Sequence, residues 1–425
     1  MAAPAMILSP FSLPSLDEAK IMPSAQGLEP VSTLALAQKF EEQIRTLRRA
    51  IHEHPELSFK ESKTAALVAK TMGDLGYRVK TEVGGTGVTA EFGQAPFIGI
   101  RADMDALPIE EDPGNQCCSK VQGVMHACGH DAHTACGLGA GMILKELLSD
   151  PQNKIKGGVR FLFQPAEEQT NADGKSGASL MMADGAIDGL SGVFGLHVFP
   201  QVPVGVVGLR EGAMLAACDT FDIKIKGKGC HGAYPQEGVD AVVLASQVVQ
   251  SIQTIISRRK SALSPAVLTL GGIKSTTFRP NIVAEEVDIC GTVRYFEPEL
   301  SAMIQAELTR AVSIVEPMGG SFEITYVNEN PALINDREMV AVAKQAADKI
   351  LGDNSVIEPT LQMGAEDFSF YCEKVKSCFI ILGTKLDGPA RAIHTPQFDI
   401  DERALPLGAA MLAECALLSL ARLAS

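Results

Sequence analysis

Gly158-Val159-Arg160-Phe161-Leu162-Phe163-Gln164-Pro165-Ala166-Glu167-Glu168 reads as a short buried strand that stops at a proline and then presents two adjacent carboxylates. In an open α/β sheet, ligands gather outside the carboxyl ends of the strands, so charged residues just past such a strand occupy an active-site position. Consecutive side chains leave an extended backbone on different sides and cannot easily share one task. One of the pair can ligate a metal while the other faces the substrate, a solvated pair at a strand end being the alternative. Glu168 is assigned as the ligand and Glu167 as the general base that takes a proton from metal-bound water. A positioned carboxylate contributes roughly 10²–10⁴-fold in that role.

Upstream, Met125-His126-Ala127-Cys128-Gly129-His130-Asp131-Ala132-His133 packs three of the chain's eight histidines, a cysteine and an aspartate into nine residues. Thiolate, imidazole and carboxylate together favour a transition-type divalent ion over magnesium or calcium, which take oxygen-only shells. A metal hydrolase is the first hypothesis. On this segment alone, a structural zinc clip or a turn of buried histidines is the alternative. Two further segments supply histidines, His197 at the end of the apolar run Gly192–His197 and His394 before the proline of Arg391–Pro396. Taken singly, such histidines are more often satisfied core or surface residues, and it is their joint placement that makes them candidates. The strand-like Ile98–Pro108 adds Asp103 and Asp105, and a carboxylate there can hold a metal-bound imidazole in one tautomer.

With these residues in view, a family resemblance emerges. RADMDALPIEE (101–111), MHACGHDAH (125–133), FQPAEE (163–168), GLH (195–197), HGAYPQEGVDAV (231–242), RPNIVAEE (279–286), MGAEDFSFY (363–371) and HTPQFDID (394–401) occur in a characteristic order. From about His52 to the C-terminus the chain resembles the metal-dependent amidohydrolases of the aminoacylase, hippurate hydrolase and auxin-conjugate hydrolase family. These form a branch of the two-domain metallopeptidases that includes carboxypeptidases and dipeptidases. The resemblance implies two divalent ions per subunit, zinc or manganese with cobalt possible, held by Cys128, His130, Glu168, His197 and His394. It places Glu167 as the base and Asp105 as the carboxylate that orients a ligand. The wider clan's usual His-x-Asp pair is here Asp103-Met104-Asp105, so Asp103 is given no ligand role and Cys128 is expected to take up the missing coordination.

The expected chemistry is hydrolysis of an N-acyl-L-amino acid to a carboxylic acid and a free amino acid, with Glu167 passing its proton to the leaving amine. Developing oxyanion charge needs a donor, and His231, in the glycine-rich turn Gly227–Pro235 after the alternating strand Phe221–Ile225, is the candidate. In the family this histidine comes from the smaller domain, often that of a neighbouring subunit. Asn281, by resemblance, and Arg279, by its bidentate fork, are candidates for holding the substrate carboxylate, or either caps a turn. Glu366 and Asp367 read as solvated loop residues and receive no chemistry. A carboxypeptidase or dipeptidase is the second reading. A non-enzymatic metal-binding protein is the third, and the presence of Glu167 speaks against it.

The 425 residues, 46% of them hydrophobic, can bury a large core and suggest two domains. A net charge of −14 argues against nucleic acid or an anionic membrane surface as partner. No apolar run is expected to approach the roughly 20 residues that span a bilayer. Ten cysteines without a repeated spacing indicate a reduced, cytoplasmic protein. Prolines interrupt the apolar stretch Ile7–Pro14 and no basic segment precedes it, so no signal peptide is expected.

The fold expected is α/β: a mostly parallel-sheet, di-metal catalytic domain (1–217 and 329–425) interrupted at 218–328 by a smaller ferredoxin-like α+β lid or dimerisation domain. Residues 36–80 read mainly as helix, and strands at about 97–101, 159–163 and 193–197 alternate with helices at 134–148 and 177–184. The very apolar helix Val239–Arg258 suggests a homodimer or higher homo-oligomer through the smaller domain.

Overall fold

A computed structural model of the protein describes residues 32–153, 155–389 and 391–424; the expectation about a signal peptide falls outside them. Among the described residues the chain forms two compact units, one from 32–212, Ile334–Thr360 and 370–424, the other of Ala213–Leu333 with Leu361–Ser369.

The first unit carries an eight-stranded sheet. Its order is Arg78–Val83, Gly87–Gly93, Gly158–Gln164, Phe97–Asp103, Leu190–Pro203, Ser377–Lys385, Val207–Gly208 and Val356–Ile357. The four middle strands, from Gly158–Gln164 to Ser377–Lys385, run parallel. Parallel strands covered on both faces must be apolar almost throughout, and Gly158–Gln164 and Ser377–Lys385 are buried along nearly their whole length. The hairpin Arg78–Val83 and Gly87–Gly93 adds an antiparallel edge that periodicity did not predict, because its outer strand is mostly exposed.

Helix His130–Ser149 packs into this core through Gly137 and Gly139. A Cβ on Gly139 would lie 2.6 Å from Ile44 Cδ1 and 2.9 Å from Ala409 Cβ. Each such glycine costs a helix about 1 kcal/mol relative to alanine. The close approach it permits seats the helix N-terminus, and therefore His130, under the sheet's carboxyl end. The expectation that no apolar run reaches membrane-spanning length is corrected by helix Ala404–Leu423, whose 20 residues have a mean hydropathy of 1.8 over the critical window. That window is 83% buried within the protein, which accounts for its composition as a core helix.

The second unit runs strand Ala217–Lys226, helix Ala241–Thr254, strand Ala266–Ser275, strand Glu286–Tyr295, helix Glu299–Val312, strand Ser321–Asn330. Its antiparallel sheet has the order Ala266–Ser275, Glu286–Tyr295, Ala217–Lys226, Ser321–Asn330, a ferredoxin-like arrangement. Alternation puts Phe221, Ile223, Ile225, Val287 and Ile289 on the inner face, buried with Leu244, Val248, Ile252, Ile304 and Leu308 of the two helices. The helix beginning near Val239 is α-helical over Ala241–Thr254, with Asp240 capping it by accepting from the Val242 amide, and closes in a π turn at Ile255–Arg259.

Candidate metal centre

Register brings the candidate residues of the first unit together. Asp103, the last residue of its strand, pairs with Gln164, so Asp105 and the Pro165–Glu168 loop leave neighbouring strand ends. Arg101 pairs with Gly195, which sets His197 two residues further along, level with Asp103. Cys128 and His130 flank Gly129, whose φ of 89° turns the chain into the helix. A Cβ at Gly129 would sit 2.3 Å from Val198 Cγ2, so the turn requires glycine on both counts. His394 arrives from the far end of the chain, its amide donating to Ala127 O at 2.8 Å. Two non-glycine residues at this site have positive φ, Ala166 (45°) and His394 (60°). Such backbone costs about 1–3 kcal/mol per residue and persists where surroundings over-determine it.

The structure collects all five expected metal ligands into one cluster. Cys128 Sγ lies 3.3 Å from His197 Nε2 and 3.3 Å from His394 Nε2. Glu168 Oε1 lies 3.1 Å from His394 Nε2 and 3.9 Å from His130 Nε2. Donor atoms within 4.8 Å of one another form two overlapping triads, Cys128, His130, His197 and Cys128, Glu168, His394, with the thiol common to both. Glu167 joins His130 and Glu168 within the same distance.

Hydrogen bonds decide which nitrogen faces the cluster. Asp105 Oδ1 lies 3.1 Å from His130 Nδ1, and a carboxylate only accepts, so Nδ1 carries the proton. His130 Nε2, buried and without a hydrogen-bond partner, is the nitrogen left pointing at the cluster, where a bound cation would replace its proton. His197 is set the same way: Nδ1 donates to Val198 O at 2.8 Å, leaving Nε2 toward Cys128. A buried imidazole nitrogen with no partner, beside a thiol and carboxylates, is the donor set of a divalent cation site.

The electrostatics fit. Burial pulls His130 down, but Asp103, Asp105 and Glu168 outweigh it and hold the imidazole up at about 10. Burial, with Glu168, Glu167 and Asp103 facing it, pushes the Cys128 thiol well above its usual range. Burial, followed by the neighbouring His133, holds His197 well below the usual imidazole range, keeping it neutral and able to coordinate. A negative pocket that favours a proton on His130 also favours cations.

Asp103 and His133 lie beside the cluster with their atoms committed elsewhere. His133 Nδ1 donates to Asp103 Oδ1 at 2.6 Å, and His133 Nε2 accepts from the Val198 amide at 2.9 Å. Asp103 Oδ2 accepts from Arg101 at 2.6 Å. Burial raises the Asp103 carboxyl, but Arg101, His130 and His133 hold it well below the usual carboxylate range. Both residues frame the strand carrying His197. Asp105 does more than orient His130, since it also accepts from Ser58 Oγ at 2.6 Å and from the Glu167 and Glu168 amides at 3.1 Å each. Sequence reasoning missed Ser58, Arg101 and His133; the position of His133 three residues after His130 on one helix was the available signal. The reading of Glu366 and Asp367 as solvated is corrected: both are buried, and Glu366 Oε1 accepts from the Phe368 amide at 3.0 Å.

His231, Arg279 and Asn281 belong to the second unit, where the short ladder pairing His231 with Ile282 puts all three in one exposed region. The Gly232 amide donates to Asn281 O at 2.8 Å. His231 Nδ1 accepts from the Ala233 amide at 3.1 Å, so its proton sits on Nε2, available as a donor. Arg279, exposed, donates one guanidinium N–H to the preceding carbonyl, Phe278 O, at 3.3 Å.

A parallel-sheet unit carrying a cysteine-centred double triad, in a chain whose other unit is ferredoxin-like, is the pattern of a two-unit metallohydrolase. Residues 99–418 match peptidase family M20/M25/M40, and the chain belongs to that family. It is similar to the N-acetyl-L-cysteine deacetylase of Bacillus subtilis (strain 168), at 38% identity over 86% of this chain and 85% of the relative. It is also similar to the IAA-amino acid hydrolase ILR1-like 4 of Arabidopsis thaliana, at 36% identity over 92% of this chain and 90% of the relative. Among solved structures it resembles the Bacillus subtilis YXEP protein, a dinuclear metal-binding peptidase of the M20 family. That match has a TM-score of 0.77 and 32% identity, covering 90% of this chain and 99% of that one. The protein is thus a metal-dependent hydrolase of amides.

Proposed function

We propose that the protein hydrolyses N-acyl-L-amino acids to a carboxylic acid and a free amino acid. The observation that carries this reading is the division of labour between adjacent glutamates. Glu168 reaches His394 and the shared thiol, while Glu167, its amide pinned by Asp105, stands beside the same cluster. Similarity to an N-acetyl-L-cysteine deacetylase and an IAA-amino acid hydrolase supports the substrate class.

Cys128, His130, His197, Glu168 and His394 would hold two divalent ions, zinc or manganese with cobalt possible, since sulfur, nitrogen and oxygen donors are mixed. Bound there, the ions would supply Lewis-acid polarisation of the amide carbonyl and lower the pKa of water. Glu167 accepts the proton from the attacking water and returns it to the departing amine. Asp105 keeps His130 in the coordinating tautomer. His231 Nε2–H is assigned to the oxyanion, and Asn281 and Arg279 to the substrate carboxylate.

A homodimer through the second unit fits its exposed apolar residues. Val242 and Val243 are each 50% exposed on the helix, and Leu263 and Phe278 more than 90%. Light scattering should return twice the chain mass. Ten free thiols support a reducing, cytoplasmic location.

The test is a panel of acetyl, benzoyl and indole-acetyl amino acids and dipeptides, run on metal-stripped protein restored with each ion, beside Glu167→Gln. Turnover of one acyl class, reduced about 10²–10⁴-fold by the substitution with metal content unchanged, is expected. Faster cleavage of dipeptides than of every acyl conjugate would replace this reading with a peptidase.

A further inference from the structure

The Pro165–Glu168 loop carries both functional glutamates, yet its first amide is not held by the residues of the cluster. Glu61, fully buried, lies just ahead of helix Ser62–Asp74. Its Oε1 accepts from the Ala166 amide at 2.8 Å and the Phe59 amide at 3.0 Å, and its Oε2 accepts from Thr86 Oγ1 at 2.5 Å. The next two amides, of Glu167 and Glu168, go to Asp105 at 3.1 Å each. Three consecutive N–H groups thus point at two buried carboxylates.

That pattern needs an unusual backbone. Ala166 has a φ of 45°, which alanine adopts only under constraint. Ala166 O accepts from the Gly177 amide at 2.9 Å, and a Cβ on Gly177 would overlap Pro165 O at 1.6 Å, so the loop is also seated from below. Released from Glu61, Ala166 would relax toward negative φ and rotate the peptide that launches Glu167. The segment bearing Glu61 is tied to the same hub: Ser58 donates to Asp105, and the Ala106 amide donates to Glu56 O at 2.8 Å. Burying a second carboxylate near Asp105 is unfavourable for folding, and a loop that merely needed closing would not require it.

We propose that Glu61 is a positioning residue for the Glu167–Glu168 pair, acting through the Ala166 amide to set the direction in which both glutamates leave the loop. The proposal rests on the reading of Glu167 as base and Glu168 as ligand.

The experiment compares Glu61→Ala, Glu61→Gln and Thr86→Val with wild type. Gln retains an oxygen for the Ala166 and Phe59 amides and turns its NH₂ to Thr86, whose hydroxyl can accept. Readouts are kcat and KM, zinc affinity by competition with a chelator, the visible spectrum of the cobalt-substituted protein, and circular dichroism for folding. Glu61→Ala is expected to lower kcat and the affinity of the weaker zinc by about 10–100-fold each, with KM changed less than about threefold and an altered cobalt spectrum. Glu61→Gln should restore all of these to within about threefold. Thr86→Val, which frees only Oε2, should give a smaller loss in the same direction and carries the test if Glu61→Ala does not fold. A folded Glu61→Ala or Thr86→Val with wild-type zinc affinity, cobalt spectrum and kcat overturns the proposal, as does Glu61→Gln behaving like Glu61→Ala. Zinc titration and the cobalt spectrum are independent of substrate. If wild type cleaves no N-acyl amino acid, the functional reading falls while these two readouts still decide the role of Glu61.

Discussion

Replacing Asp105 with asparagine separates orientation from coordination, because it removes one acceptor from a four-bond hub and changes little else. Oδ1 serves His130 Nδ1 and the Glu167 amide; Oδ2 serves Ser58 Oγ and the Glu168 amide. If the new NH₂ takes the Oδ2 position, Ser58 can turn to accept, but the Glu168 N–H faces a donor. One unsatisfied buried N–H costs about 1–3 kcal/mol. If it takes the Oδ1 position, the Glu167 N–H is orphaned and His130 must move its proton to Nε2, the nitrogen aimed at the cluster. The first orientation is therefore favoured, and in it His130 exchanges a charged acceptor for a neutral one, a loss of about 1–1.5 kcal/mol. Asp105→Asn should lose about 2–4 kcal/mol of stability in urea melts and about 10–100-fold in metal affinity by chelator competition. kcat should fall with the metal restored to saturation, since the Glu167 loop shares the hub. Metal affinity and kcat both within about threefold of wild type would refute the hub.

His133→Leu should strip partners from the Val198 amide and Asp103 Oδ1, lowering stability by about 2–6 kcal/mol in urea melts while folded protein still holds two ions. Loss of one ion from the folded variant would make His133 a ligand. In the second unit, hydrogen bonds from Arg259 and Arg310 draw the Glu307 carboxyl down to about 2 from an ordinary 4.5. A depressed carboxylate pKa contributes stability above the ordinary value and loses it as pH falls toward the folded one. The stability gap between wild type and Glu307→Gln should therefore be full at neutral pH and close progressively below about 4.5, measured by urea melts at each pH; a gap constant down to pH 3 would show that the ion pair does not titrate.

Much of the site was legible because metal ligands need specific side-chain chemistry. Cys128, His130, Glu168, His197 and His394 stand out by type and by their places after apolar strands, and the fold gathers them. The ferredoxin-like order was readable from strand and helix periods, with Phe221–Ile225 falling inside the strand Ala217–Lys226 and the apolar helix Val239–Arg258 overlying Ala241–Thr254. What periodicity could not reveal was what holds the ligands. Glu61, Ser58, Arg101 and His133 look like ordinary polar residues until long-range pairing places them. Glu61 lies 105 residues from the amide it accepts. The apolar helix Ala404–Leu423 and the buried Glu366 and Asp367 were misjudged for the same reason: burial is set by neighbours distant in the chain.

Cys128 is the donor common to both candidate triads, so the proposed two-ion centre depends on its thiol. The most direct measurement is metal content per folded chain, by elemental analysis after gel filtration, together with the near-ultraviolet sulfur-to-cobalt absorption of the cobalt-loaded protein, for wild type and Cys128→Ser. Two ions per chain with a thiolate band in wild type, and loss of the band with weakened retention of both ions in Cys128→Ser, is the predicted result. A single ion in wild type, or a thiolate band that survives the substitution, would contradict it.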